Sequence, residues 1–524
     1  MNRDFSIQQI QTTSQWDIII IGGGATGLGC AVDAANRGYK TLLLEKYDFA
    51  KGTSSRATKL VHGGVRYLAQ GNIRLVREAL QERGRLLKNA PHVCHRLAFV
   101  VPFYNNFQKW YYWFGLWLYE FLSGKLSLGK TKFLSKKGTL RNLPGLAADN
   151  LTGGVLYFDG QFDDSRLAIN LAQTATEQGA TVINYFGVTG FTKENEKIKG
   201  VIAKDELNGH TFSLNAKVII NATGVFADEL LQMAEGYKEQ TITPSQGIHL
   251  VVDKKFFAGI AGLMVPKTDD GRVLFAIPWH DKLLLGTTDT PVEKISTEPM
   301  ALQEEIDFVV SHFNRYAAAE INYADVQSVF VGLRPLVRSG NKKKTAVMPR
   351  DHHIEVLPSG LIHITGGKWT TYRSMAEHAI DKATKAAGLR DTDCNTGDLP
   401  LHGYTNTKKT SHLSIYGSDA LMIEKMIEED ISLAQKIHPL YPYTKAEINW
   451  FIQNEMAITV EDILARRIRL LFLDAKAAME AAPAVATFMA KELNKDEQWI
   501  AQQLINFKTL AKGYTINLKP QTLN

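Results

Sequence analysis

Gly22-x-Gly24-x-x-Gly27 follows the apolar run at residues 18–21 and opens a helical pattern. Each glycine has its own task. Gly22 permits a tight turn, Gly24 lets a pyrophosphate approach the backbone, and Gly27 lets the helix pack close to the strand. The first N–H groups of such a helix lack internal partners, and its dipole favours an anion. Glu45 closes the next apolar run, 41–44, where a ribose hydroxyl is read in this arrangement. These residues predict a bound dinucleotide.

A second set of residues suits proton and anion chemistry. His62 lies in a loop rich in glycine and cations, and His249 lies in strand-like alternation. Histidine accepts a proton near neutral pH without a large pKa shift, so both are candidate bases. Arg66, Arg334, Arg350 and Lys368 are candidate anion ligands. Arginine offers a planar fork and lysine a compact charge. Pro335 stiffens the backbone after Arg334. Thr287, Thr288 and Asp289 predict a turn at the pocket. His352 and His353 are adjacent and would point to opposite faces of a strand, so no shared metal is expected.

The chain has 524 residues, which predicts two or three domains. A formal net charge of +6 is mild at this length and does not point to nucleic acid; it suits an anionic substrate or an anionic membrane surface. Cys30, Cys94 and Cys394 are scattered and predict a reducing compartment. No signal-peptide core and no spanning helix are predicted.

The elements that must position these groups are legible in outline. Residues 1–15 read as a loose polar arm, 75–90 as a helix, 165–178 as a helix and 245–290 as strands with turns at 269–271 and 280–281. Residues 110–122 form a short aromatic segment followed by Lys125, Lys130, Lys132, Lys136 and Lys137. Its all-round apolar character predicts a buried helix; the other reading is an interfacial segment. After residue 392 glycine thins and helical periods dominate. Thr459 and Asp462 form a candidate capping box there, and Arg466, Arg467 and Arg469 read as a solvated or domain-contacting face.

Three further segments favour FAD over a nicotinamide. The GxGxxG pattern occurs once, so no second nucleotide unit is evident. The strand at 218–224 ends in Asn-Ala-Thr-Gly224, and the strand at 361–365 runs into Gly366-Gly367-Lys368-Trp-Thr370 and a helix start. Gly52-Thr53-Ser54-Ser55-Arg-Ala-Thr-Lys59-Leu60-Val-His62-Gly-Gly-Val-Arg66-Tyr67 has the hydroxyls, glycines and cations of a loop under pyrophosphate and flavin.

With Gln246-Gly-Ile-His249, Gly286-Thr-Thr-Asp289 and Gly332-Leu-Arg334-Pro in the same order, the chain resembles the FAD-dependent glycerol-3-phosphate dehydrogenases of the amino-acid-oxidase-like flavoprotein superfamily. The resemblance covers residues 16–380, and the C-terminal part also resembles that family's cap domain. It implies an α/β fold: a Rossmann-type FAD-binding domain (12–102, 150–245 and 330–390), an antiparallel β-sheet substrate domain (103–149 and 246–329) and an all-helical cap (392–524). It implies non-covalent FAD held by Gly22, Gly24, Gly27, Glu45, Thr53, Ser54, Ser55, Lys59, Leu60, His62, Gly224, Gly367, Lys368 and Thr370. Around the substrate it implies Arg66, Tyr67, Thr288, Arg334, Arg350 and Lys368, with His62, His249 and Arg334 as catalytic candidates. The implied reaction oxidises sn-glycerol 3-phosphate to dihydroxyacetone phosphate by hydride transfer to flavin N5. Electrons then pass to a quinone at the inner face of the cell membrane. The alternatives are an oxidase making hydrogen peroxide and an amine or amino-acid oxidase. A homodimer is left open.

Overall fold

The computed structural model describes residues 1–69, 71–237, 241–337, 352–406 and 411–516, without the side chains of Arg66 and Ala69. Its first sheet has eight strands. Trp16–Ile21 pairs in parallel with Thr41–Leu44 on one side and Thr211–Asn221 on the other. Ile362–Gly366 extends the parallel order, and His352–Val356 closes that edge antiparallel. The central strands are buried on both faces, which explains their near-continuous Ile and Leu runs. Helices Ala25–Asn36, Asp164–Glu177 and Tyr372–Ala387 pack together over one face.

The second sheet has ten strands. At one end of it Ile242–Asp253 runs antiparallel to Val326–Val337, in a register that sets Gly247 opposite Gly332 and His249 opposite Phe330. The turns fall where the sequence placed them: Gly271 has φ +81°, and His280 and Asp281 have positive φ between two paired strands. The C-terminal helices share one continuous apolar core with this sheet.

Three expectations change. Residues 1–15 are not a loose arm: Arg3–Thr12 is a helix, capped by Asn2 and held by buried Ser6 and Ile10 and by an Arg3–Asp205 ion pair. Asn106–Ser123 is a helix, but it is not buried. Leu116, Tyr119 and Ser123 are buried and Tyr112, Trp113 and Leu122 pack half-buried against the core, while Phe107, Trp110, Tyr111, Phe114, Trp117 and Phe121 stand in solvent. Overall apolarity could not reveal which face is covered. Thr459 and Asp462 do form the reciprocal cap, but the turn they open is a π-helix, Asp462–Arg467, that ends at Arg469 with φ +64°. All three arginines of that turn are buried, so they make a domain contact and not a solvated face.

Candidate active site

The turn after the first strand builds a cleft of about 410 Å³. Gly22 has φ +112°, and a Cβ there would meet the Ala222 carbonyl at 2.7 Å. A Cβ on Gly27 would lie 1.9 Å from the Gly22 carbonyl, so this glycine sets the helix–strand approach and does not line the cleft. Glu45 lines it, its carboxylate accepting from the N–H groups of Gly23 (2.6 Å) and Tyr47 (2.8 Å). Burial pushes the Glu45 carboxyl up against the pull of those two amides. The Ser54 hydroxyl accepts from the Ala25 N–H at the helix start (2.9 Å). Thr53 donates to the Leu333 carbonyl (2.7 Å), fixing the hydroxyl-rich loop to the second sheet.

A smaller cavity of about 190 Å³ continues from this cleft. The two share Thr53, Pro335, Gly366, Gly367, Lys368 and Trp369. Leu60, His62, His249, Arg334 and Thr370 line the smaller one. The Arg334 guanidinium is anchored by the carbonyls of Gln246 (3.2 Å) and Thr288 (2.8 Å), the Thr287 hydroxyl (3.3 Å) and Asp289 (3.4 Å). It packs against Gly247, where a Cβ would come within 2.2 Å of it. His249 is buried, stacks on Phe330 and shares a 2.9 Å hydrogen bond with Thr58 Oγ1. Burial, then the Lys59 and Arg334 charges, hold His249 well below the usual histidine range, so it is neutral at neutral pH. The His62 N–H donates to Thr370 Oγ1 (3.1 Å), and Lys368 Nζ sits 3.9 Å above the Tyr67 ring.

Some expected residues stand elsewhere. Lys59 is buried with its ammonium on Asp164 (2.7 Å) and the Ser55 carbonyl (2.9 Å), ringed by Trp279, Phe330 and Phe472; it does not line either cavity. Burial lowers its pKa to about 7. Ser55 is buried and its hydroxyl turns to the Gly52 carbonyl. The Thr288 side chain faces Glu305 (2.7 Å), and only its carbonyl reaches Arg334, so it braces an arginine and does not line the cavity. Arg350 and the Arg66 side chain lie outside the described residues. Sequence reasoning missed Glu305, a buried carboxylate that gathers Gln246, Thr288 and Thr290. It also missed Arg56, which lines the smaller cavity and pairs with Glu298 (2.7 Å).

The cleft fits FAD. Gly52 and Gly224 line it, and a Cβ on either would meet no atom within 4 Å, so side-chain-free space continues from the helix N-terminus to the Gly366–Gly367 turn. The sequence matches the family described as FAD dependent oxidoreductase over residues 17–381 and the C-terminal domain of alpha-glycerophosphate oxidase over 361–500. It is 38% identical to the mitochondrial glycerol-3-phosphate dehydrogenase of Rattus norvegicus over 95% of this chain and 73% of that protein. It is 36% identical to that of Saccharomyces cerevisiae, over 96% and 90%. The FAD-complexed glycerol-3-phosphate dehydrogenase structure from Bacillus halodurans superposes with a TM-score of 0.80, 28% identity and 98% coverage of both chains. The FAD-bound L-alpha-glycerophosphate oxidase of Mycoplasma pneumoniae shares the fold at a TM-score of 0.57 and 18% identity, over 74% of this chain and 98% of that one. The cleft geometry and these likenesses agree: the chain belongs to the glycerol-3-phosphate dehydrogenase family of FAD-dependent oxidoreductases.

Proposed function

We propose that this enzyme oxidises sn-glycerol 3-phosphate to dihydroxyacetone phosphate and passes the electron pair to a membrane quinone. The observation that carries the reading is the small cavity set against the Gly366–Gly367 turn, with Arg334 and Lys368 on its wall. When bound, FAD supplies the two-electron acceptor for the hydride of C2. The protein must hold the phosphate, orient the C2 hydroxyl and take its proton. Arg334 and Lys368 hold the anion. The four anchors on Arg334 fix its fork before substrate arrives, so little ordering remains at the moment of reaction. Of the two candidate bases, burial and the Lys59 and Arg334 charges make His249 the weaker proton acceptor, so His62 is the base of this proposal. In the nucleotide cleft, the N-terminus of helix Ala25–Asn36 takes the pyrophosphate and Glu45 the ribose hydroxyls.

The aromatic helix supports a membrane-surface location. Its exposed rings form one stripe, and Lys125, Lys130, Lys132, Lys136 and Lys137 are exposed in the segment that follows. Aromatic rings with neighbouring lysines complement an anionic lipid surface. No helix among the described residues is long and apolar enough to cross a membrane, so docking would be peripheral.

Anaerobic bleaching of the flavin by glycerol 3-phosphate, and not by glycerol or D-alanine, is the expected result. Bleaching by an amino acid would overturn the substrate. Stoichiometric hydrogen peroxide in air, with no rate gain from a quinone analogue, would replace the quinone by oxygen.

A further inference from the structure

The inner face of the aromatic helix touches the loop that carries His62. Tyr119 is 2% exposed. Its hydroxyl accepts from the Gly63 N–H at 2.6 Å and donates to Asp159 at 2.8 Å. Asp159 is held in turn by Arg83 (2.9 Å), which also donates to Ser123 at the end of the same helix (3.2 Å). A Cβ on Gly63 would meet Leu80 at 2.6 Å and the Tyr119 ring at 2.9 Å, so the loop backbone packs directly on this ring. Gly63 sits between His62 and Gly64, whose φ of +80° launches the short helix Val65–Ala69 with Tyr67. One side chain therefore separates the exposed aromatic stripe from the wall of the small cavity.

We infer that Tyr119 is a positioning residue that couples lipid docking to the reaction: an anionic bilayer on the aromatic face steadies helix Asn106–Ser123, and Tyr119 passes that restraint through Gly63 to His62 and Tyr67. The inference rests on the membrane reading above and adds a regulatory consequence to it. The buried hydroxyl is the only link the Gly63 N–H makes to this helix among the described hydrogen bonds. Losing it frees a loop backbone whose glycines otherwise offer little stiffness.

The test uses the full-length, FAD-loaded enzyme and vesicles of phosphatidylglycerol and phosphatidylcholine. Stopped-flow flavin reduction by glycerol 3-phosphate is followed anaerobically with and without vesicles. Wild type is expected to cosediment and to reduce on the order of fivefold faster when bound, the scale of one buried hydrogen bond. Tyr119→Phe keeps the ring and the stripe; it is expected to cosediment equally and to show no acceleration. An equal response of Tyr119→Phe, or a bound wild type that reduces no faster than the free enzyme, overturns the coupling. Wild type that fails to cosediment at low salt overturns the membrane reading and the coupling together. Hydrogen exchange of the 62–67 segment in wild type needs neither substrate nor variant. Slower exchange on vesicles supports the coupling, and unchanged exchange overturns it.

Discussion

Arg334 shows how a cavity-lining side chain is set by its neighbours. Its position depends on Gly247, because a methyl group there would occupy the space of the guanidinium. Gly247→Ala is therefore expected to displace Arg334 and raise KM for glycerol 3-phosphate with the flavin spectrum retained. Arg334→Ala removes a charge-assisted contact worth about 1.5–3 kcal/mol, so kcat/KM is expected to fall roughly 10- to 100-fold; anaerobic reduction kinetics check both variants. At this scale the sequence was legible where a residue's placement follows from its own type and motif. A glycine turn, a cation beside proline and a histidine in a loop declare themselves. Glu305 and Arg56 do not, because their roles arise from pairings between segments remote in sequence. Lys59 misled for the same reason: its charge suggested a ligand, and only the fold shows Asp164 claiming it.

Among the elements, those with strong periods and clear caps were readable, and their environments were not. The nucleotide-binding unit, the helix at Asp164–Glu177 and the hairpin turns stand where their patterns put them. The aromatic helix was recognisable as a helix, but hydrophobic content alone could not say that its rings face outward. One contact between elements carries a pH dependence. His402 joins Glu177, at the end of helix Asp164–Glu177, to Asp419 (2.9 Å) in the C-terminal region. Burial opposes its charge, but the hydrogen bonds and charges of Asp419 and Glu177 prevail and raise its pKa from 6.5 to about 9. A raised folded pKa means that these ion pairs stabilise fully below pH 6.5 and fade as pH rises through 9. Thermal denaturation is expected to show that decline, and His402→Gln is expected to flatten it.

Across the whole molecule, a buried ionic network joins the C-terminal helices to the nucleotide-binding region. Asp48 receives Arg466 and Arg467 (2.8 Å), and those guanidinium groups hold its carboxyl far below the usual range despite burial. Arg467 also meets Glu455 (3.1 Å), which binds Arg166 (2.6 Å). Arg469 reaches Asp164 (3.2 Å) and the Ser55 carbonyl (2.6 Å). Lys51, on the wall of the nucleotide cleft, connects Glu298 to Glu461. Removing one partner of such a set leaves a buried charge uncompensated. Arg467→Met is expected to cost about 3–5 kcal/mol in chemical denaturation of the FAD-loaded enzyme. The sequence showed an arginine cluster after residue 460 but not Asp48, Asp163 and Asp164, the carboxylate partners that sit hundreds of residues earlier.

That separation has a consequence for how the protein is made. Asp48 leaves the ribosome long before Arg466 and Arg467, which neutralise it. Until those arginines emerge, the nascent nucleotide-binding region carries a carboxylate that it cannot enclose, so its final closure waits on the C-terminal helices.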